Sequence, residues 1–569
     1  MMRRAREQEP RSTLVPSTVE PLDIGNAGMT IADAYLANRR AFSWRRPQQF
    51  NFVRDVIAER ASANGAATAL YWTSAGGGEE VVSFAGLLER AHRAAAFLAS
   101  LGLRRGDIAL LVLSREQAWW EIILGCLQLG VIVSPGTTQL MKKDFAFRLE
   151  ATKAAALITN HACAERADDA IRELGWKGAR IIVDQDRAGW RNYDAGSTPP
   201  FRDFADTRAD EEALLYFTSG TTGNPKMTVH GCAYPLGHET TGRFWLCAGA
   251  GDLVWNVSDT GWAKGAWSSL FAPWLCGAGI FALHADAVDP VRVLDALERF
   301  PVTVLCAPPT AYRMLVRQPL EGRKFARLRH CVSAGEPLNP EVIDVWREKT
   351  GHQICEGYGQ TETTILCGVF DGMKVKPGSM GLPAPGVDLD VIDENGERLS
   401  SGIEGDVAVS LDPAPQGLFL GYKDEPERTL ATRRGRWYLT GDRAMRDEDG
   451  YFWFVGRGDD VIISAGYRIG PFEVESALIE HPAVAESAVV ASPDETRGEI
   501  VKAFIVLAKG IVGTDELARE LQDHVKRVTA PYKYPRKIEF VDGLPKTISG
   551  KIIRKELRER EWREPGAHD

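Results

Sequence analysis

The sequence predicts an α/β fold: a large domain of parallel sheets and helices, with a small β-barrel-like subdomain, followed by a small α+β domain. Three observations lead to this prediction. From about Phe50 to Val455, helix-like and strand-like segments alternate, as in mostly parallel sheets covered by helices. After about Gly378, short strands are separated by Asn-Gly and Ser-Gly turns, which indicates antiparallel or barrel-like structure. The residues beyond Pro471 end in a basic cluster.

Individual elements can be predicted in order along the first half of the chain. "SFAGLLERAHRAAAFLASLGL" (Ser83–Leu103) has helical periodicity, a serine at its start and a glycine near its end. "DIALLVLS" (Asp107–Ser114) is typical of a buried strand, and "EQAWWEIILGCLQLG" is typical of another helix. The same strand pattern recurs at "AAALITN", "ARIIVDQ" and "VTVLCAPPT". This repetition supports parallel βα units.

Bulk composition excludes some classes of protein. The 569 residues are too many for one core. With 68 basic and 77 acidic residues the net charge is −9, which argues against a nucleic-acid partner. The nine cysteines show no C-x-x-C pair, as expected of reduced thiols. The apolar run Ile122 to Val133 is too short to span a bilayer, and no apolar signal core follows the first residues. We therefore predict a cytoplasmic protein without a membrane span; its oligomeric state stays open.

One short stretch predicts a site for a polyanion. "YFTSGTTGNPKMTVH" (Tyr216–His230) combines two glycines, several hydroxyl side chains and Lys226. Glycine lets backbone N–H groups approach a ligand closely, and the hydroxyls and lysine add donors and charge. The stretch lacks the Gly-Lys-Ser/Thr ending of a Walker loop. Phosphate binding is the favoured interpretation, and a polar surface turn after a strand at Ala213–Phe217 is the alternative.

Four further stretches join this loop in a fixed order: "EGYGQTE" (Glu356–Glu362), "YLTGD" (Tyr438–Asp442), "GRGDDVIISAGYRIGPFEVE" (Gly456–Glu475) and "PKTISGKIIR" (Pro545–Arg554). Together they resemble the adenylate-forming, AMP-binding superfamily of acyl-CoA synthetases, luciferases and peptide-synthetase adenylation domains. The resemblance runs from about Phe50 to Trp562. "SDTGWAKGAWSSL" and "APYKYPRKIEFVDGLPKTISGK" are most similar to the medium-chain acyl-CoA synthetases.

The resemblance implies an acid–thiol ligase that acts in fatty acid metabolism. Such an enzyme joins AMP from ATP to a carboxylic acid, with Mg²⁺, and releases pyrophosphate; the coenzyme A thiol then displaces AMP. The partners implied are ATP, coenzyme A and an acid, which is medium-chain, branched or aromatic. Two alternatives stay open: an enzyme that loads a carrier-protein thiol, and a nucleotide-binding homologue without catalysis. The implied domains are a flexible tail (1–45), a large ATP- and acyl-binding domain (46–455), a hinge (456–461) and a small mobile domain (462–569).

The resemblance also implies a role for each matching residue. Lys551 would bridge the carboxylate and the α-phosphate, Thr361 would contact that phosphate, and Glu362 would hold Mg²⁺. Asp442 would bind the ribose hydroxyls, and Asp459 would be the hinge residue. The implied ATP-binding set is Thr218, Ser219, Gly220, Thr221, Thr222, Gly223, Asn224, Pro225, Lys226, Gly357, Tyr358, Gly359, Gln360, Thr361, Glu362, Asp442, Arg457, Arg468 and Lys551.

Two further sets are implied for the acid and for coenzyme A. The acyl pocket would comprise Trp262, Ala263, Lys264, Gly265 and Gly359. Lys264 is unusual for a fatty-acyl lining. Gly359 stands where acetyl-specific relatives carry tryptophan, so we expect it to leave room for longer acids. The coenzyme A set is Gln139, Ala465, Gly466, Tyr467, Arg497, Lys526, Tyr534, Pro535 and Arg536.

Overall fold

The computed structural model describes residues 31–74, 76–194, 196, 199–218, 225–285, 288–370, 372–465, 467–494, 496–546 and 551–562. Within these ranges the α-helices are α1 (Ile31–Ala41), α2 (Ala58–Asn64), α3 (Phe84–Ser100), α4 (Gln117–Leu129), α5 (Lys142–Thr152), α6 (His161–Leu174), α7 (Tyr234–Thr240), α8 (Ala263–Ala266), α9 (Ala272–Leu275), α10 (Pro290–Arg299), α11 (Pro309–Leu315), α12 (Pro340–Thr350), α13 (Pro426–Leu430), α14 (Pro471–Ile479), α15 (Asp515–Val528) and α16 (Arg554–Trp562). Short π-helical turns lie at Val53–Ile57, Thr241–Trp245 and Trp267–Phe271, and a 3₁₀ turn lies at Pro531–Lys533. None of these helices is long and apolar enough to cross a membrane.

The strands of the described ranges belong to three sheets. In chain order they are β1 (Thr68–Ser74), β2 (Glu79–Ser83), β3 (Ile108–Val112), β4 (Ile132–Gly136), β5 (Ala156–Thr159), β6 (Ala179–Ile182), β7 (Arg191–Asn192), β8 (Glu212–Thr218), β9 (Lys226–Gly231), β10 (Leu253–Asn256), β11 (Gly279–His284), β12 (Val304–Cys306), β13 (His330–Ala334), β14 (Ile354–Gly359), β15 (Ile365–Gly368), β16 (Ser379–Pro383), β17 (Leu389–Ile392), β18 (Gly405–Ser410), β19 (Gly421–Tyr422), β20 (Arg433–Arg434), β21 (Trp437–Arg446), β22 (Phe452–Arg457), β23 (Ile462–Ser464), β24 (Tyr467–Ile469), β25 (Val484–Asp494), β26 (Gly498–Leu507) and β27 (Lys537–Phe540).

The sheet topology confirms the predicted α/β class. One sheet has the order β19-β9-β8-β4-β3-β5-β6-β7, and its strands from β8 to β7 run parallel. The largest sheet runs β17-β18-β21-β22-β16-β15-β14-β13-β12-β10-β11-β1-β2. Its β1, β10–β14 segment is parallel, and the strands from β15 to β22 extend it antiparallel through β16 and β22. The predicted antiparallel segment after Gly378 is thus continuous with the large sheet.

Local chemistry explains where the first helices begin and end. The Ser83 side chain accepts a hydrogen bond from the Gly86 N–H and caps α3, as the sequence predicted. Helix α4 ends at Gly130, whose φ of 73° is a left-handed conformation that glycine adopts without steric cost. The run of apolar residues in α4 reflects its position in the core, where Trp119 and Trp120 are almost fully buried. The predicted helix–strand–helix order here is confirmed.

The N-terminal prediction needs a correction. Part of the proposed tail, Ile31–Ala41, is helix α1. The Tyr35 hydroxyl donates to the Pro383 carbonyl oxygen at 2.8 Å, and the Trp44 indole N–H donates to the Gly386 carbonyl oxygen at 2.7 Å. These bonds tie residues 35–44 to the large sheet, so a tail over 1–45 is wrong for that segment. Residues 1–30 lie outside the described ranges.

The third sheet contains the strands that follow the predicted hinge. It comprises β23–β27, mostly antiparallel, with α14 and α15 packed on its core. Strand β22 of the large sheet ends at Arg457, and β23 of the third sheet begins at Ile462. Sheet membership therefore changes within the segment 456–461. The exact domain limits of 46–455 and 462–569 stay predictions.

Candidate active site

Asp442 is the centre of a buried polar cluster at the end of the large sheet. The carboxylate oxygen Oδ2 accepts hydrogen bonds from the Tyr358 hydroxyl at 2.5 Å and from Gln360 Nε2 at 2.7 Å. Arg457, opposite it on β22, places Nε 3.3 Å from the other oxygen, Oδ1. Burial raises the pKa of the Asp442 carboxyl above its ordinary value, although Arg457 opposes this rise. Residues from three predicted motifs, "EGYGQTE", "YLTGD" and "GRGDDVIISAGYRIGPFEVE", thus meet at one carboxylate.

The predicted phosphate loop connects two paired strands. Thr218, the last residue of β8, lies opposite Lys226, the first residue of β9. The strand–turn–strand geometry brings both ends of the loop together, with exposed Pro225 beside Lys226. The loop residues themselves, Ser219, Gly220, Thr221, Thr222, Gly223 and Asn224, lie outside the described ranges.

Lys226 and Glu362 both contact Tyr422. The Tyr422 hydroxyl donates to Glu362 Oε1 at 2.8 Å, and the Lys226 ammonium lies 4.9 Å from the centre of the same ring. Burial lowers the pKa of Lys226, and the Glu362 carboxylate opposes this effect. A cation and an acidic oxygen are therefore held a short distance apart, next to the predicted phosphate loop.

Thr361 is held by a histidine buried beneath the "YGQTE" segment. His230 Nε2 lies 2.7 Å from the Thr361 carbonyl oxygen. Burial lowers the pKa of His230 to about 3, so the ring is neutral and Nε2–H donates to that carbonyl. Tyr234 packs against the imidazole, with ring centres 3.8 Å apart. This contact fixes the backbone that carries the predicted α-phosphate and Mg²⁺ residues.

Lys551 approaches the same region from the C-terminal part of the chain. Burial is the main cause of the raised pKa of Asp442 and of the lowered pKa of Lys264, and the charge of Lys551 lowers both. A charge acts in this way only at short range. The charge of Lys551 therefore acts on one residue of the nucleotide cluster and on one of the predicted acyl residues.

The predicted acyl residues lie around the short helix α8. Its Lys264 is buried and donates from Nζ to the Ala334 carbonyl oxygen at 2.7 Å, which accounts for a charge in this position. Trp262 precedes the helix, and its carbonyl oxygen accepts from the Gly265 N–H at 2.8 Å. Ala263 is buried beside them. The four residues form one segment.

Gly359 does not face open space, and our expectation for it is corrected. A Cβ atom at this position would lie 2.3 Å from the Thr364 carbonyl oxygen and 2.5 Å from Cη2 of Trp267. These distances are shorter than any van der Waals contact. The glycine is required by the close approach of a backbone carbonyl, and the Trp267 ring occupies the space beside it. The Trp267 ring therefore lies directly beside Gly359.

Four of the predicted coenzyme A residues form one cluster and two others form a backbone pair. The Lys526 ammonium lies 4.3 Å from the centre of the Tyr534 ring, whose hydroxyl accepts from Arg536 Nη1 at 2.7 Å, and Pro535 lies between the latter two. The Ala465 N–H donates to the Arg497 carbonyl oxygen at 3.1 Å.

The remaining members of these sets are placed differently. Tyr467 stacks on Tyr532, with ring centres 4.4 Å apart. Arg468 approaches Glu404 at 4.0 Å rather than the Asp442 cluster. Gln139 is exposed and lies three residues after the end of β4. No described contact joins it to Lys526 or Arg536. Gly466 lies outside the described ranges.

Sequence reasoning missed several residues that the fold brings to the site. Tyr422 reaches Glu362 across 60 positions of sequence, and Tyr532 stacks on Tyr467 from a separate turn. Tyr422 lies outside the quoted stretches, and Tyr532 lies in "APYKYPRKIEFVDGLPKTISGK" without an implied role, so no local signal identified either contact. His230 was part of the quoted loop sequence, but its buried contact with Thr361 could only be found in three dimensions.

The arrangement suits the chemistry of an anionic ligand. A tyrosine hydroxyl, a glutamine amide and an arginine surround the Asp442 carboxylate, whose oxygens can also accept from ligand hydroxyls. Within the described residues, no group of three or more metal-binding side chains is present. Such a site can position a nucleotide triphosphate and stabilise charge at phosphorus by fixed cations.

The chain was compared with known proteins. A family model described as AMP-binding enzyme matches residues 57–423, and one described as AMP-binding enzyme C-terminal domain matches residues 473–551. The chain is 49% identical to acyl-coenzyme A synthetase ACSM3, mitochondrial, of Mus musculus, over 93% of each chain. It is similar to the solved structure of the anthranilate CoA ligase AuaEII in complex with anthranoyl-AMP (TM-score 0.83, 30% identity, 90% of this chain and 98% of that one). It is also similar to a benzoate CoA ligase from Burkholderia xenovorans LB400 (TM-score 0.79, 30% identity, 90% and 100%).

Proposed function

The chain belongs to the AMP-binding enzyme family, and we propose that it is an acyl-CoA synthetase that joins a carboxylic acid to coenzyme A with cleavage of ATP to AMP and pyrophosphate. Similarity to acyl-coenzyme A synthetases over almost the whole chain supports this function. The single observation that carries it is the buried cluster at Asp442, where Tyr358, Gln360 and Arg457 from separate predicted motifs meet at one carboxylate suited to ribose hydroxyls.

The first step forms the acyl adenylate. A carboxylate oxygen of the acid attacks the α-phosphorus of ATP, the bond from this phosphorus to the bridging oxygen breaks, and pyrophosphate leaves. No proton is transferred at the reacting atoms, so the site needs cations and N–H donors more than an acid–base pair. In this proposal Lys551 neutralises charge between the carboxylate and the α-phosphate. Asp442 orients the ribose, and Lys226 receives the leaving phosphates.

The residues present fit a Mg²⁺ ion that is bound mainly through the nucleotide. Glu362 supplies one carboxylate, oriented by Tyr422 and close to Lys226, and Mg²⁺ sites of this kind use one or two carboxylates with substrate phosphates. Glu362 would hold the ion. Bound there, Mg²⁺ would neutralise charge on the departing pyrophosphate.

The second step forms the thioester. The thiol of coenzyme A gives up its proton to solvent, and its sulfur attacks the acyl carbon. The carbon–sulfur bond forms, and the bond between the acyl carbon and the phosphate oxygen breaks to release AMP. We propose that coenzyme A phosphates contact the cationic cluster of Lys526 and Arg536. Ala465 and Tyr467 would border the path of the thiol.

The acid and the compartment stay open to experiment. The acid is proposed to be medium-chain, branched or aromatic. The buried Trp267 ring beside Gly359 limits the space on that side of the glycine. A cytoplasmic location stays a prediction; the name of the Mus musculus relative assigns that protein to mitochondria.

A pyrophosphate-release assay with a panel of carboxylic acids tests the function. We expect release that requires ATP and an acid together, followed by loss of free thiol when coenzyme A is added. Release with thiol consumption only from a carrier protein would favour the loading enzyme. ATP binding without acid-dependent release would favour a homologue without catalysis and would refute the proposal.

A further inference from the structure

Helix α16, the last helix of the described residues, is attached to the third sheet and begins three residues after Lys551. Arg554 donates from Nε and Nη2 to the two oxygens of Glu475, at 3.0 and 2.6 Å. Glu561 accepts from Ser492 Oγ at 3.0 Å and from Lys502 Nζ at 2.6 Å. Bonds at both ends of the helix fix its position against the sheet. The segment that carries Lys551 therefore moves with α16.

Arg558 joins this helix to the predicted hinge. It lies one turn after Arg554, on the same helix face. Its Nη1 donates to the Asp459 carbonyl oxygen at 2.7 Å and to Asp460 Oδ1 at 2.8 Å. The side chain is 25% exposed, so the ion pair with Asp460 is partly shielded from solvent. The hinge segment is thus bonded directly to the helix next to Lys551.

The other side of the hinge is attached to the large sheet. Arg457 is the last residue of β22 and pairs with Asp442, and the Gly458 N–H donates to the Gly441 carbonyl oxygen at 2.9 Å. The carbonyl of Asp459 is already held by Arg558. Between the Gly458 N–H and the Asp459 carbonyl, the backbone can therefore rotate about the Cα–C bond of Gly458 and about the two backbone bonds of the Asp459 Cα atom.

The bonds that cross this point define the present orientation. The N–H groups of Asp460 and Val461 both donate to the Arg457 carbonyl oxygen, at 3.0 and 3.2 Å. A rotation at Asp459 would break them, whereas the Arg558 bonds lie entirely on the far side of the pivot. Arg558 can therefore keep its contacts while the segment turns.

We propose that Arg558 is a positioning residue for Lys551. Arg558 connects the hinge to α16, so that a change in the torsion angles of Asp459 moves α16 and Lys551 together as one rigid unit. This inference rests on the proposed function, in which Lys551 acts in adenylation only. The residues proposed for the thioester step, Ala465 and Tyr467, follow the hinge directly through β23, and no described hydrogen bond joins them to α16. Loss of Arg558 should therefore affect the two steps unequally.

The test compares Arg558→Ala with Arg560→Ala, a matched change on the same helix. Arg560 pairs with Glu539 on β27 and has no described contact with the hinge. Each half-reaction is measured separately: acyl-AMP formation in a single turnover, and thioester formation from supplied acyl-AMP and coenzyme A. A misplacement of about 1 Å reduces a rate about 100-fold, so Arg558→Ala should slow adenylation by about 10- to 100-fold. Its thioester step should match that of Arg560→Ala.

Thermal unfolding of both variants, followed by circular dichroism, separates positioning from folding. We expect equal unfolding temperatures, and partial recovery of adenylation in Arg558→Lys, which keeps a donor near the Asp460 carboxylate. Equal losses in both half-reactions, or no loss in either, would overturn the role of Arg558. If the wild-type protein shows no ATP- and acid-dependent pyrophosphate release, the proposed function itself fails, which is a different result.

Discussion

Replacing Asp442 with Asn should weaken ATP binding without unfolding the protein. The side chain keeps its size but loses its charge and one acceptor oxygen. A hydrogen bond to a charged group contributes about 1.5–3 kcal/mol, against about 0.5–1.5 kcal/mol between neutral groups. For two ribose hydroxyls the difference is about 2 kcal/mol, or about 30-fold in KM for ATP. In the Asn variant an NH₂ group replaces one carboxylate oxygen. Whichever oxygen it replaces, the NH₂ group faces a donor, because Tyr358 and Gln360 donate to one oxygen and Arg457 lies at the other. This contact between two donors weakens the site further. The 30-fold increase is therefore a lower bound.

The assay is pyrophosphate release as a function of ATP concentration, at saturating acid. Asp406→Asn is the matched control, because Asp406 lies on the neighbouring strand β18 and pairs with Arg434 and Arg443 away from the cluster. An unchanged KM for ATP in Asp442→Asn, with the effect confined to the acid, would refute the reasoning.

A pH series adds a second test of the same residue. The pKa of Asp442 is raised above 3.8 by burial, so the carboxylate takes up a proton earlier as the pH falls than an exposed aspartate would. Protonation removes the charge that the ribose hydroxyls need. KM for ATP should therefore rise as the pH falls through this raised pKa in the wild-type protein, and the Asn variant should lack this rise.

Three further changes test other parts of the site. Lys551→Ala should abolish acyl-AMP formation and spare thioester formation from supplied acyl-AMP; equal loss in both would indicate a structural role. Asp459→Pro should leave pyrophosphate release near normal and slow transfer to coenzyme A, because proline fixes φ; wild-type rates in both steps would contradict the hinge. Gly359→Ala should lower activity with every acid, acetate included, since its Cβ would lie 2.3 Å from the Thr364 carbonyl oxygen; a loss confined to long acids, measured with an acid panel, would restore Gly359 as the pocket floor.

The sequence predicted the parts of the fold that depend on local pattern. Helix α3 and strand β3 follow from capping and apolar periodicity, which act within a few residues. Helix α1 was missed because its pattern is weak and its packing depends on distant partners, such as the contact of Tyr35 with Pro383. Tertiary contacts, rather than propensity, decide such a segment.

The candidate site divides in the same way. Motif residues such as Asp442, Tyr358 and Gln360 were predicted and do meet. The error at Gly359 has a clear physical cause: a sequence shows that a side chain is small, but not which neighbour occupies the space it leaves. Here that neighbour is the Trp267 ring, together with a backbone carbonyl.

Electrostatics connects these observations. Both substrates of the proposed first step are anions, and three lysines come to the site from separate parts of the chain: Lys226 on β9, Lys264 on α8 and Lys551 before α16. Burial lowers the pKa of Lys226 and of Lys264, and the charge of Lys551 lowers the pKa of Lys264 further. The protein alone therefore bears a cost for keeping the charges of Lys226 and Lys264 buried. The negative charge of the ATP phosphates and of the acid's carboxylate removes that cost. The effect is largest in the transition state, where negative charge accumulates between the reacting groups. Cations that are fixed in advance stabilise the charge of the transition state without reorganising around it.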